Sequence, residues 1–190
     1  PISCRRQRQM CIRDRGTTAE NLVDLHGISR EDQDRFAAGS QSKAAKAREA
    51  GHFKEEIIPV SIPRRKKDDL VFAEDEFIKP ASTPDILSKL RPAFRKEGGS
   101  VTAGNSSGLN DGACALLLAN QAGMERHGLS PLAEIVTSAV VGVEPRIMGI
   151  GPVEASRQAL TKAGLTLEDM DHIELNEAFA SIDRQTFHQY

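Results

Sequence analysis

Tryptophan is absent from this 190-residue chain, and aromatic residues together make up only 4% of it. The hydrophobic fraction of 39% still suffices for a core, which must be built mainly from aliphatic side chains. Cysteine is scarce as well. Cys4, Cys11 and Cys114 are odd in number, scattered, and outside any CxxC pair, which excludes a disulfide framework and a zinc site. No apolar run approaches the length of a membrane span, and none has the form of a signal-peptide core. The expectation is a soluble cytoplasmic protein with no membrane partner. There is no internal repeat, and the length allows one domain or pieces of two.

The formal net charge of −2 hides an uneven spread. Residues 1–15 carry five arginines against one aspartate, and the remainder carries 20 basic against 26 acidic residues. A basic arm of this kind would suit nucleic acid or a membrane surface. This one has no periodicity, and the ordered pattern begins abruptly at Gly16. It reads as a non-native segment, so no nucleic-acid partner is expected.

From Gly16 on, helix and strand signals alternate, which argues for a layered α/β architecture. Thr17 and Glu20 have the spacing of a capping box opening a helix that stops at Gly27. Ser29 and Asp32 cap a longer helix that ends at Gly51, with Phe36, Ala37, Ala44 and Ala47 on one face. Residues 57–62 and 70–72 read as strands flanking Arg64, Arg65, Lys66 and Lys67. That cationic run is either a solvated turn or a site for phosphates. Thr83 followed by Pro84 marks another helix start. A buried helix is expected over 111–128, placing Cys114 among packed small residues, and a β-rich run over 133–143. A helix to Ala163 stopped by Gly164, a capped turn from Thr166 to Asp169, and a strand over 173–175 complete the chain.

Two junctions carry the chemistry. The first runs from Val101 through Gly104, Asn105, Ser106, Ser107, Gly108, Asn110, Asp111 and Gly112. Its glycines permit positive φ and close approach to a ligand. Their spacing of four is not the GxGxxG of a dinucleotide site. Asn105, Asn110 and Asp111 read as turn-forming and capping residues in preference to ligand contacts. The second junction, Asn176-Glu177-Ala178-Phe179-Ala180, reads as a polar pair between a short strand and a helix.

The stretches GNSSGLNDGA and NEAFA, in this order and about seventy residues apart, resemble the thiolases, coenzyme-A-dependent acyltransferases. So do Thr17 to Asn21, Asp32 to Asp34, Ser40 to Ala44, Lys89 to Phe94 and Met148 to Pro152. The resemblance covers Gly16 to Ala180. It implies a partial thiolase fold of αβαβα layers: 16–99 the coenzyme-A-binding loop region, 100–131 the end of the N-terminal half, and 132–190 the start of the C-terminal half. By the same resemblance Asn176 is catalytic, orienting the water of an oxyanion site, and Ser107 hydrogen-bonds the pantetheine arm. Phe94, otherwise a core aromatic, lines the pantetheine tunnel. Lys79 lies beside the nucleotide end, where the family usually has Arg; Lys keeps the charge and loses the planar fork. Met148 is either core or ligand-lining. Ser106 and Arg15 stand where the family commonly has Ala and Met.

A thiolase forms an acyl-cysteine, then joins it to a second thioester or runs the reverse cleavage of a 3-oxoacyl thioester. The resemblance places the nucleophilic cysteine upstream of Gly16. It places the histidine of a Gly-His-Pro turn and a second cysteine downstream of Ala180. The chain is therefore expected to be inactive alone. Its partners would be acyl-CoA and coenzyme A as substrates, with no further cofactor and no metal, and its parent a homodimer or homotetramer. The competing reading is a non-catalytic thiolase-like acyl-CoA or lipid-binding protein.

Overall fold

A computed structural model describes residues 15–110 and 113–182. Helix α1 covers residues 15–26, and α2 covers Arg30–Glu49. Strands β1 (Val60–Ile62) and β2 (Leu70–Phe72) form an antiparallel hairpin that pairs Ser61 with Val71. Then follow α3 (Pro84–Leu87), α4 (Gln121–His127) and α5 (Gly151–Ala163), and a further helical turn begins at residue 180.

Most punctuation falls where the sequence puts it. The Ser29 hydroxyl accepts the Asp32 amide at the start of α2, and Thr83 accepts the Ile86 amide ahead of Pro84. Gly164 takes the left-handed conformation past α5, so that Leu165 N–H reaches back to the Leu160 carbonyl. Thr166 and Asp169 form the expected reciprocal capping box.

Glu20 departs from expectation. Thr17 lies inside α1, and the Glu20 carboxylate leaves its own helix to accept the amides of Ser100 and Val101, each at 3.0 Å, and the Ser100 hydroxyl. The stretch 100–102 joins no ladder among the described residues; its amides go to side chains, that of Thr102 donating to Asn105 Oδ1. Around it sits a core of Ala19, Val101 and Phe179, with Val23, Phe94, Ala178 and Ile182 packed against it. Leu22, fully buried nearby, contributes about 2 kcal/mol by its transfer from water. The face that α2 buries is partly polar: Gln33 and Asp34 lie deeper than Phe36 or Ala37.

The helix expected over 111–128 is largely replaced by extended chain. Asp111 and Gly112 lie outside the described residues, 113–120 is non-helical and exposed, and only Gln121–His127 is helical. The cap is Asn120, whose Oδ1 accepts the Gly123 amide. A run as uniformly apolar as 113–119 has no period to separate helix from strand. Cys114 is exposed on it, not packed. The runs 133–143 and 173–175 likewise join no sheet among the described residues.

Candidate functional site

The Gly-rich loop and the turn at Asn176 meet in space. Ser106 bridges Phe179 in antiparallel fashion; the Ser107 amide donates to the Ala178 carbonyl at 2.9 Å, and the Ala180 amide to the Asn105 carbonyl at 3.0 Å. Both junctions therefore behave as one hydrogen-bonded unit. Its close contacts need glycine. A Cβ on Gly108 would stand 2.1 Å from the Phe77 ring, and one on Gly104 2.5 Å from Leu90.

This unit floors an open cleft of about 500 Å³. One wall is α2, through Phe36, Ser40 and Gln41; the other is the segment from Phe77 to Leu90. Among the described residues, Lys79 is the one basic residue lining it and Glu177 the one acidic residue. Gln41 Oε1 accepts the Lys79 amide at 2.6 Å, and the Ser40 hydroxyl donates to Glu177. Each contact ties α2 to a site segment far along the chain.

Of the residues singled out from sequence, Ser107 and Lys79 line the cleft. Asn176 precedes the lining residue Glu177 but is not itself part of the cleft lining; its carbonyl accepts the Ala178 amide, and the residue is exposed. Phe94 is half-buried in the core, its ring edge-on to Phe179 at 6.1 Å, and it covers Gly16. Met148 lies in the 3₁₀ segment Pro145–Ile150, beside the buried Gly149, and is not part of the cleft lining. Sequence reasoning passed over Phe77 and the Ser40–Glu177 contact. Ser40 was legible only as part of a motif, since its partner lies 137 residues away.

Comparison with known proteins gives the family. The family model of the thiolase N-terminal domain matches residues 7–122, and that of the thiolase C-terminal domain matches residues 129–189. The chain belongs to the thiolase family. It is 56% identical over 166 residues to the acetyl-CoA acetyltransferase of Chromobacterium violaceum, covering 87% of this chain and 42% of that protein. Identity to the acetyl-CoA acetyltransferase of Pseudomonas aeruginosa is 55% with the same coverage. The crystal structure of the Bacillus anthracis acetyl-CoA acetyltransferase superposes with a TM-score of 0.87 at 48% identity, over 92% of this chain and 44% of that one. Human mitochondrial 3-ketoacyl-CoA thiolase gives 0.84 at 44% identity, over 91% and 43%. The architecture is thus a partial thiolase α/β fold, and the chain spans less than half the length of these thiolases.

Proposed function

We propose that this chain is the coenzyme-A-binding portion of an acyltransferase that condenses two acetyl-CoA to acetoacetyl-CoA, or cleaves 3-oxoacyl-CoA in reverse, through an acyl-cysteine. The observation that carries this reading is the hydrogen-bonded union of the Ser107 loop with the Asn176 turn, beside a cleft whose only lining cation among the described residues is Lys79. The Ser107 hydroxyl offers both a donor and an acceptor to the amides of a pantetheine arm. The Lys79 ammonium faces the phosphates as a point charge. The Asn176 carboxamide holds a water that donates to the thioester or enolate oxygen without adding charge. Phe94 and Met148 are assigned to the surroundings of the arm and the acyl group. Coenzyme A thioesters are the substrates, and no further cofactor is invoked.

Cys114, the cysteine among the described residues, is absent from the cleft lining. The thiolase pattern puts the nucleophile upstream of Gly16, and on that pattern this chain alone is read as inactive. The intact enzyme is read as a cytoplasmic homodimer or homotetramer of fatty acid metabolism. Titration of coenzyme A into the chain by calorimetry tests the binding half of the proposal. Ser107→Ala should weaken binding about tenfold, the loss of one good hydrogen bond. Equal affinity of the two proteins would sink the assignment of Ser107, and measurable turnover by this chain would sink the inactivity.

A further inference from the structure

A primary carboxamide has two N–H donors and an oxygen acceptor, and at Asn105 all three are engaged by protein atoms. Its Nδ2 donates to Asp34 Oδ1 and to the Ser100 carbonyl, each at 3.0 Å, and its Oδ1 accepts the Thr102 amide at 2.7 Å. The residue is 2% exposed. Asp34, equally buried, also accepts from Arg30 Nε at 2.8 Å, and that guanidinium donates onward to the carbonyls of Leu87 and Leu90. On the main-chain side, the Asn105 carbonyl takes the Ala180 amide, and two residues later Ser107 N–H holds the Ala178 carbonyl. Three separate pieces of the molecule converge on one residue: the seat of α2 and the curl of the Gly-rich loop on its side chain, and the turn that begins at Asn176 on its carbonyl.

The geometry points to Asn105 as a positioning residue, which through Asp34 on one side and Ala180 on the other sets where the Ser107 hydroxyl stands at the cleft and how the turn that begins at Asn176 sits beside it. The functional consequence rests on the coenzyme A reading of that cleft. Asn105 has no spare polar side-chain atom for a ligand, so its action is on the register of the loop. Aspartate has nearly the same shape and neither donor. Its carboxylate would face the Asp34 carboxylate and the Ser100 carbonyl, both acceptors, and push the loop off its two partners without emptying any volume.

Two readouts on the chain separate positioning from plain stability: residue-resolved amide hydrogen exchange at Ser107 and Ala180, and coenzyme A affinity. Asn105→Asp should exchange both amides at least about tenfold faster and bind coenzyme A about tenfold more weakly, one lost hydrogen bond's worth in each case. In the Ser107→Ala background the same substitution should weaken binding no further, because its effect travels through that hydroxyl. Unchanged protection at Ser107 and Ala180, or an equal loss of affinity in both backgrounds, overturns the proposal. Should Asn105→Asp not fold, Asp34→Asn takes its place: it should release the same two amides and spare the Glu20-bound amide of Val101, and retention of protection at Ser107 and Ala180 overturns the proposal. Absence of coenzyme A binding by the unmodified chain defeats the coenzyme A reading alone, and the exchange data then decide the positioning role by themselves.

Discussion

Residues 100–107 and residues 113–120 lie almost next to each other in the chain and are treated oppositely by the fold. The first stretch is mostly polar and yet half of it is buried, its amides taken by Glu20 and Asn105. The second is almost wholly apolar and lies open, with Leu116 at 87% exposure; further along, Leu132 reaches 106%. Hydrophobicity does not decide between them. Burial requires partners, and the polar stretch has them: a carboxylate from α1, a glutamine and an aspartate from α2, and a returning turn at 178–180. The apolar stretch joins no ladder among the described residues. Exposed, unpaired, leucine-rich extended chain is a template for further pairing.

The largest effect should come from breaking the buried side of this contrast. Glu20→Ala leaves the Ser100 and Val101 amides without an acceptor in a site 1% exposed, and should cost about 3 kcal/mol in urea unfolding. Gly149→Ala is the next test. A Cβ there would stand 2.6 Å from Ile182 and 2.8 Å from Leu22, and overpacking should destabilise by about 2 kcal/mol. On the open side, Leu116→Ser should change unfolding free energy by less than about 0.5 kcal/mol and reduce self-association in sedimentation. A loss of stability as large as that of Glu20→Ala would mean that the run is packed after all. The smallest effect concerns the capped turn after α5. Hydrogen bonds from the Thr166 amide and hydroxyl hold the Asp169 carboxyl below its ordinary value of 3.8. The stability that this contributes is full above the unfolded value and fades as pH falls through the lower folded one. Thr166→Ala should move the Asp169 midpoint upward in an NMR titration, and an unmoved midpoint would refute the cap.

Much of this was legible in the sequence where the cause is local. Ser29, Thr83, Gly164 and the Thr166–Asp169 pair act within a few residues of themselves, and each stands where its spacing says. The motif loops, and the placement of Ser107 and Lys79 on one cleft, were legible because the pattern of the whole stretch is family-specific. What failed was non-local. Glu20 has capping-box spacing from Thr17, but a stronger claim on it comes from amides 80 residues away. The run 113–119 offers no period, so nothing within it separates helix from extended chain, and Cys114 inherited the error. Glu177 reads locally as a residue at a helix start, and only the arrival of α2 makes Ser40 its partner.

The bridge between Ser106 and Phe179 also sets a timetable. Glu20 has its targets as soon as Val101 has been made, so the base on which the Gly-rich loop stands can form early. The loop above it must wait while about seventy further residues are synthesised, at roughly 5–20 per second. Throughout that interval the glycines from 104 to 108 lack the turn that fixes them, and the entropy of closing the long loop is still to be met. The ligand-facing segment therefore cannot be completed until the turn at 178–180 has been made.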